Sequence, residues 1–179
     1  MKLKIVFTVC AAMFAASLGI APAADLKFSL SRKTLSQKST QDTGGIVKSR
    51  VEARDIVYSI VVESTSLRDI ENITIEYNIY YEVPENPIDK APVKTLAGKH
   101  TINKLPSYKK VEFDTDSIAM KETRTVESRT SLGVTRTASA QIKDKIVGNV
   151  IRAYNAEGKL LGEYINPSGT DTKFDWKKP

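Results

Sequence analysis

The chain has 179 residues, 41% of them hydrophobic, and a net charge of +6, which is enough for one domain with its own core. A single histidine and a single cysteine leave no disulfide framework, no Cys-based metal site and a thin inventory for catalysis. The positive charge is mild and falls short of the clustered basic face that a nucleic-acid partner requires.

Lys2 and Lys4 precede an uncharged apolar run from Ile5 to Ile20, and Ala21-Pro22-Ala23 supplies small residues at a cleavage site. Residues 1–23 therefore read as an export signal cut after Ala23 or Ala24. The alternative is an uncleaved N-terminal anchor helix, because Ile5 to Ala24 is about the length that spans a bilayer. Cys10 follows Val9, where a lipoprotein acceptor expects a small residue. Cleavage removes two lysines and no acids, so Lys+Arg falls from 27 to 25 while Asp+Glu stays at 21, and the mature net charge is +4. The only cysteine leaves with the signal, so the mature chain has no thiolate nucleophile. The expected location is the periplasm, the outer-membrane surface or the medium, with membrane association only if the segment is kept.

Beyond the signal the chain reads as strands. "LKFSLS" (26–31) alternates Leu26, Phe28 and Leu30, a short first strand, and the polar "RKTLSQKSTQDTGG" (32–45) reads as a loop ending in a glycine pair. In 47–65, Ile56, Tyr58, Ile60 and Val62 share one face with Val57 and Val61 on the other, a central strand covered on both sides at its middle. "NITIEYNIYYEV" (72–83) places Ile73, Ile75, Tyr77, Ile79, Tyr81 and Val83 on an inward face and leaves Tyr80, between Asn78 and Glu82, on the polar face. At about 3.3 Å per residue it spans roughly 40 Å, longer than a usual strand, and predicts a bulge or an end projecting past the core.

Pro84, Pro87 and Pro92 make 84–92 a rigid loop, because proline cannot donate to a ladder. One or two short strands about Gly98 follow in 93–105. "KKVEFDTDSIAM" (109–120) alternates Val111, Phe113 and Thr115. The Thr-, Ser- and Arg-rich segment 121–142 is a polar hairpin turning at "SLG" (131–133) or else a loop. "KIVGNVIRAY" (145–154) and "KLLGEYI" (159–165) flank "NAEG", where Gly158 can supply the left-handed residue of a hairpin. No stretch of the mature chain sustains a helical apolar period. Seven to nine closely spaced strands predict an all-β fold, an immunoglobulin-like β-sandwich over residues 24–169 with a tail at 170–179.

Chemistry is sparse. His100 has no identifiable nucleophile beside it. "DTD" (114–116) lacks the glycine and later glutamate of a calcium loop and fits a strand-ending turn. No catalytic, cofactor-binding or metal-binding residues are assigned, and no cofactor is expected.

Three features suit contacts. A basic set of Lys109, Lys110, Lys121, Arg124, Arg129 and Arg136 is interrupted by Glu112, Glu122 and Glu127; it is a solvated strand face or a surface for an anionic glycan. The proline loop with Pro84, Pro87 and Pro92 is a sheet connection or a preorganised recognition element. The tail carries Phe174 and Trp176, which pack on their own domain or dock on a neighbouring subunit. Tyr80, Tyr108 or Trp176 would serve as stacking platforms if the module bound carbohydrate.

The order of an exported start, the strand "ITIEYNIYYEV", the middle "LAGKHTINKL" and the final hairpin "GNVIRAYNAEGKLLGEYINP" resembles small exported immunoglobulin-like β-sandwich proteins of Gram-negative bacteria. Some of these accompany surface or type IV pilus-like assemblies. The resemblance covers most of residues 46–167 as a pattern. The chain departs from bacterial type IV pilins in lacking a glycine cleavage site followed by an aromatic and a glutamate, and no site residues transfer. The export signal, the missing catalytic constellation and long strands whose edges need covering lead to the expectation of a non-enzymatic protein acting by protein–protein contacts in an envelope or surface, pilus-like assembly, as a homo-oligomer or with other envelope proteins. A carbohydrate- or ligand-binding module is the alternative, and a small secreted hydrolase the third reading.

Overall fold

The computed structural model describes residues 25–42, 46–132 and 134–179. The expected export signal, residues 1–23, lies outside these, as do the glycine pair at 44–45 and Gly133 of the expected turn.

Among the described residues the chain forms nine strands and one short helix: β1 (Leu26–Asp42), β2 (Val47–Ser64), β3 (Ile70–Glu82), β4 (Val93–Leu105), β5 (Lys110–Asp114), β6 (Ile118–Ser131), β7 (Val134–Lys143), β8 (Lys145–Tyr154), β9 (Leu160–Asn166) and α1 (Thr170–Lys173). All pairings are antiparallel. One sheet runs β1-β2-β6-β7 with β5 also on β2, and the other runs β4-β3-β8-β9. No helix among the described residues is long and apolar enough to cross a membrane.

The two sheets face one another across a core that follows the alternating pattern. Ile56, Tyr58, Ile60 and Val62 of β2 meet Ile73, Ile75, Tyr77 and Ile79 of β3, with Ile102, Leu105, Ile118 and Ile151 filling the layer. Side chains two apart point the same way along a strand, so each β-rich run buries one full series. The final hairpin forms as the sequence predicts. Asn155 Oδ1 accepts from the backbone N–H groups of Glu157 (3.0 Å) and Lys159 (2.8 Å), and Gly158 holds the left-handed φ of 79°.

One expectation is corrected and two are made sharper. The polar stretch after Ser31 is not a loop: β1 continues to Asp42, paired residue by residue with β2 as far as Ser49. Polar composition marks exposure, and an exposed strand paired on one edge needs no apolar face. Of the one or two short strands expected in 93–105, the chain forms one, and it is long, 13 residues. Residues 109–120 divide into two strands at "DTD" (114–116), where a strand end is expected: β5 and β6 both lie on the same edge of β2, and the ladder shifts register by one residue at Thr115 to Ser117. The expected irregularity of the long third strand is present, but the extra residue belongs to its partner. Tyr80 pairs with Gly148 and Tyr81 with Ile146, leaving Val147 unpaired on β8.

The segment 121–142 is an ordered hairpin, with Ser131 opposite Val134. Together with residues 36–42 of β1 and 47–55 of β2 it extends the first sheet as a four-stranded arm. β6 and β7 pair only with β2 and with each other, and every described β7 residue except Ile142 is exposed. The second half of β2 is core, and its first half is arm.

The two regions should respond differently to truncation. Ile75→Ala, at a fully buried site, should lower unfolding free energy by about 3 kcal/mol, whereas Val126→Ala, 38% exposed on the arm, should change it by no more than ~0.5 kcal/mol; urea titration followed by circular dichroism measures both.

Candidate functional site

Two surfaces bring together residues that the sequence singles out. The first is the outer face of the second sheet. Thr74, Glu76, Asn78 and Tyr80 of β3 point away from the core, and the tail crosses them. Phe174 stacks on Tyr80 with ring centroids 4.8 Å apart. The Tyr80 hydroxyl donates to the Asp175 carbonyl at 3.2 Å, and Asn78 Nδ2 donates to the Lys177 carbonyl at 3.0 Å. The Arg152 guanidinium lies 4.7 Å from the Trp176 ring centroid, a cation–π contact, and also donates to Glu163 at 2.5 Å.

The tail starts at a fixed point. Gly148 has no side chain, so the Thr170 methyl occupies the space where its Cβ would stand. Thr170 is buried, and its hydroxyl donates to the Pro167 carbonyl at 2.6 Å.

Tyr80 therefore requires a correction. Alternation places it outward as expected, but outward is not exposed: it is 1% accessible, less than Tyr77 at 5%. Burial raises its phenol pKa. It cannot serve as an open contact or stacking residue. Phe174 and Trp176 are half-buried against their own domain, and Tyr108 remains exposed. His100 stacks flat on Phe113 at 4.0 Å, with no nucleophile in the contact.

The second surface is the arm. Directly paired residues share a face, so the ladders sort its side chains. The face continuous with the core side carries Lys48, Arg50, Glu52 and Arg54 of β2, Glu122, Arg124 and Val126 of β6, and Gln141 and Lys143 of β7. The opposite face is small and less charged at its centre: Val51 and Ala53, Thr123 and Thr125, Ala138 and Ala140. The expected basic set is thus divided. Arg124 is on the core-side face, Lys121, Arg129 and Arg136 are on the opposite face, and Lys109 and Lys110 stand at the start of β5, outside the arm.

Two carboxylates organise the core-side face. Glu52 accepts from Arg50 at 2.8 Å and from Arg54 at 2.6 Å. Glu122 accepts from Arg124 at 2.7 Å and Lys143 at 3.3 Å, with Gln141 Nε2 adding a third donor at 2.9 Å. The Arg124 hydrogen bond, chiefly, holds the Glu122 carboxyl below its ordinary pKa against the opposing effect of burial, and Lys143 adds to it. At the tip Arg129 pairs with Glu127 and stands directly opposite Arg136.

The proline loop reaches the arm's root. Pro84, Asn86, Pro87 and Asp89 border a shallow hollow completed by Gln141, Ile142 and Lys143 of β7. Pro84 is half-buried and Pro87 exposed; Pro92, also exposed, lies outside that hollow, its carbonyl accepting from the Val83 N–H at 3.1 Å. Sequence reading missed Arg50, Arg54 and Lys143 as members of one surface. The signal was the parity of "KSRVEAR" (48–54), where charges occupy every second position.

Comparison with protein-family models and with curated proteins finds no match to this chain.

Two outcomes follow from these contacts. Phe174→Ala should destabilise by about 2 kcal/mol and raise acrylamide quenching of Trp176 fluorescence, as the strap loosens over Tyr80. For Glu122, a folded pKa below the usual 4.5 means that its stabilisation is complete above about pH 4.5 and is lost as pH falls through the lowered folded value. The difference in β6–β7 amide protection between wild type and Glu122→Gln should therefore be large at pH 7 and vanish in strong acid, as read by hydrogen exchange.

Proposed function

We propose that this is a non-enzymatic exported protein, an immunoglobulin-like β-sandwich that works through protein–protein contacts in a cell-envelope or surface, pilus-like assembly. The arm carries this reading. A four-stranded sheet layer exposed on both faces and ending in a free edge contributes little to its own domain and presents a pairing surface to others.

The two edges of the arm differ. β1 carries a bulge between Thr34 and Ser36 together with Lys33 and Lys38, devices that discourage further pairing. β7 has neither a bulge nor a proline along Val134 to Lys143. Its sequence also suits pairing with itself. An antiparallel two-fold pairing centred on Ala138 sets Val134 against Ile142, Arg136 against Ala140, Thr135 against Gln141 and Thr137 against Ser139. No like charges meet, and the small centre admits close approach. The occupant of the edge in this reading is a second copy of the chain, joined isologously into one continuous sheet.

Because the only cysteine lies in the N-terminal segment expected to be removed, Ala138→Cys introduces a single thiol at the two-fold. The mature variant should form a disulfide dimer under mild oxidation, while Ala140→Cys, offset from the axis, should do so far less. Ala138→Lys should shift the sedimentation profile from dimer to monomer. A wild-type protein that stays monomeric at high concentration in analytical ultracentrifugation overturns the proposal.

A further inference from the structure

The core-side face of the arm has a charge that its own pairs do not consume. Six cations belong to it, Arg32, Lys48, Arg50, Arg54, Arg124 and Lys143, against the two carboxylates Glu52 and Glu122. Each carboxylate is shared by two cations, so it fixes their positions without cancelling the charge of both. Where the arm meets the body, the face deepens into a cleft whose charged lining is Arg32, Arg54, Lys121 and Lys143 against Glu52, Glu122 and Asp144. Asp144 is already engaged, accepting from the Lys121 backbone N–H at 2.7 Å. Arg54 Nε is buried there with no hydrogen-bond partner among the described residues, and no ion pair occupies Arg32 among them. A buried, unsatisfied guanidinium N–H costs free energy, and an anionic oxygen is the group that satisfies it.

We infer that this face binds an acidic polysaccharide, seating one carboxylate in the cleft between Arg32 and Arg54 and the following acidic groups along Arg50, Arg124 and Lys48. Three observations select this partner. Lys48 and Arg50 stand roughly 7 Å apart on β2 and Arg54 about twice that distance beyond Arg50, with Glu52 between them, an extended spread of cations that matches a repeating anion and not a single ion. Beside Val126 and Met120, the neutral residues interspersed on the same face include the amides and hydroxyls Gln37, Ser39, Gln141, Ser139 and Thr137; these are suited to sugar hydroxyls. Exposed aromatics are missing from the described part of this face, so the stacking platform of a single-stranded nucleic-acid site is not present. A bilayer is too flat to reach the cleft, because the second sheet and the proline loop stand on the same side, whereas a single glycan chain enters it. The glutamates preorganise the arginine forks, so few rotamers are lost on binding.

This surface uses side chains on one face of the arm, whereas self-pairing uses the backbone edge of β7, so sedimentation of each variant tells loss of the one from loss of the other. Affinity electrophoresis of the mature protein through polygalacturonate should retard it at 50 mM salt, with uncharged dextran having no effect, and the retardation should fall steeply as salt rises. Arg32→Gln with Arg54→Gln should weaken binding tenfold or more, and Arg50→Gln with Arg124→Gln by a similar factor. Lys109→Gln with Lys110→Gln, which removes equal charge from outside the arm, should leave binding within twofold. Arg54→Lys guards against misfolding: it keeps the charge, removes the fork, and should still weaken binding. Equal losses in all charge variants, tighter binding to duplex DNA or to phosphatidylglycerol vesicles than to polygalacturonate, or no retardation by polygalacturonate or alginate would each overturn the inference.

Discussion

The first sheet is longer than the layer that covers it. β2 has 18 residues, roughly 60 Å of strand at about 3.3 Å per residue, while the facing sheet covers only its second half. Along the even-numbered positions of β2 the sequence changes at that limit, from Ile56, Tyr58, Ile60 and Val62 to Arg54, Glu52, Arg50 and Lys48. Hydrophobic burial can hold only the first group. The second is held by backbone ladders to β1 and β6 and by ion pairs on Glu52 and Glu122. A typical hydrogen bond contributes about 1 kcal/mol net, and ordering a residue costs about 1–2 kcal/mol. An arm built this way has little stability of its own, so it depends on continuity with the core at Ile56 and Ile118 and on whatever it contacts.

The second sheet solves the opposite problem. Its outer face is neither left open nor covered by a further layer. A ten-residue tail lies over it, using Thr170 against Gly148 as the anchor and Phe174 and Trp176 as the weights. That arrangement explains why β3 is apolar and tyrosine-rich on its inward series yet buries Asn78 fully on the other. Asn78 Nδ2 donates to the Lys177 carbonyl of the tail at 3.0 Å and, at a longer 3.4 Å, to the Tyr80 hydroxyl on its own strand. The strand and the tail are thus one structural unit despite lying a hundred positions apart.

Much of this was legible in the sequence. Period-two alternation identifies the core series on β2 and β3, and Asn155 and Gly158 mark the final turn, because these signals are local. What escaped is non-local. Nothing within residues 32–42 reveals that they pair with β2, since an exposed strand has no apolar face to betray it. Nothing near Tyr80 announces Phe174. Alternation gave its direction correctly, and the covering layer came from the far end of the chain. The basic set was assembled from neighbours in sequence, whereas the ladders group Arg124 with Arg50, Arg54 and Lys143 from three different strands.

The two proposed surfaces of the arm have a geometric relation that follows from symmetry. Antiparallel pairing of β7 with a copy of itself requires a two-fold axis perpendicular to the sheet, because opposed residues must share a face. That axis keeps the core-side face of both copies on the same side. The cationic rows of the two arms then lie side by side on one surface about twice as wide across the strands, with the two clefts at opposite ends. A polymer that engages one row meets the second at high effective concentration, so modest affinity per row becomes strong attachment for a long chain and stays weak for a short one. Had the arm used its bulged β1 edge, the bulge at Leu35 would have twisted the two rows out of a common plane. The unprotected edge and the charged face therefore belong to one design, in which assembly widens the binding surface without adding a contact.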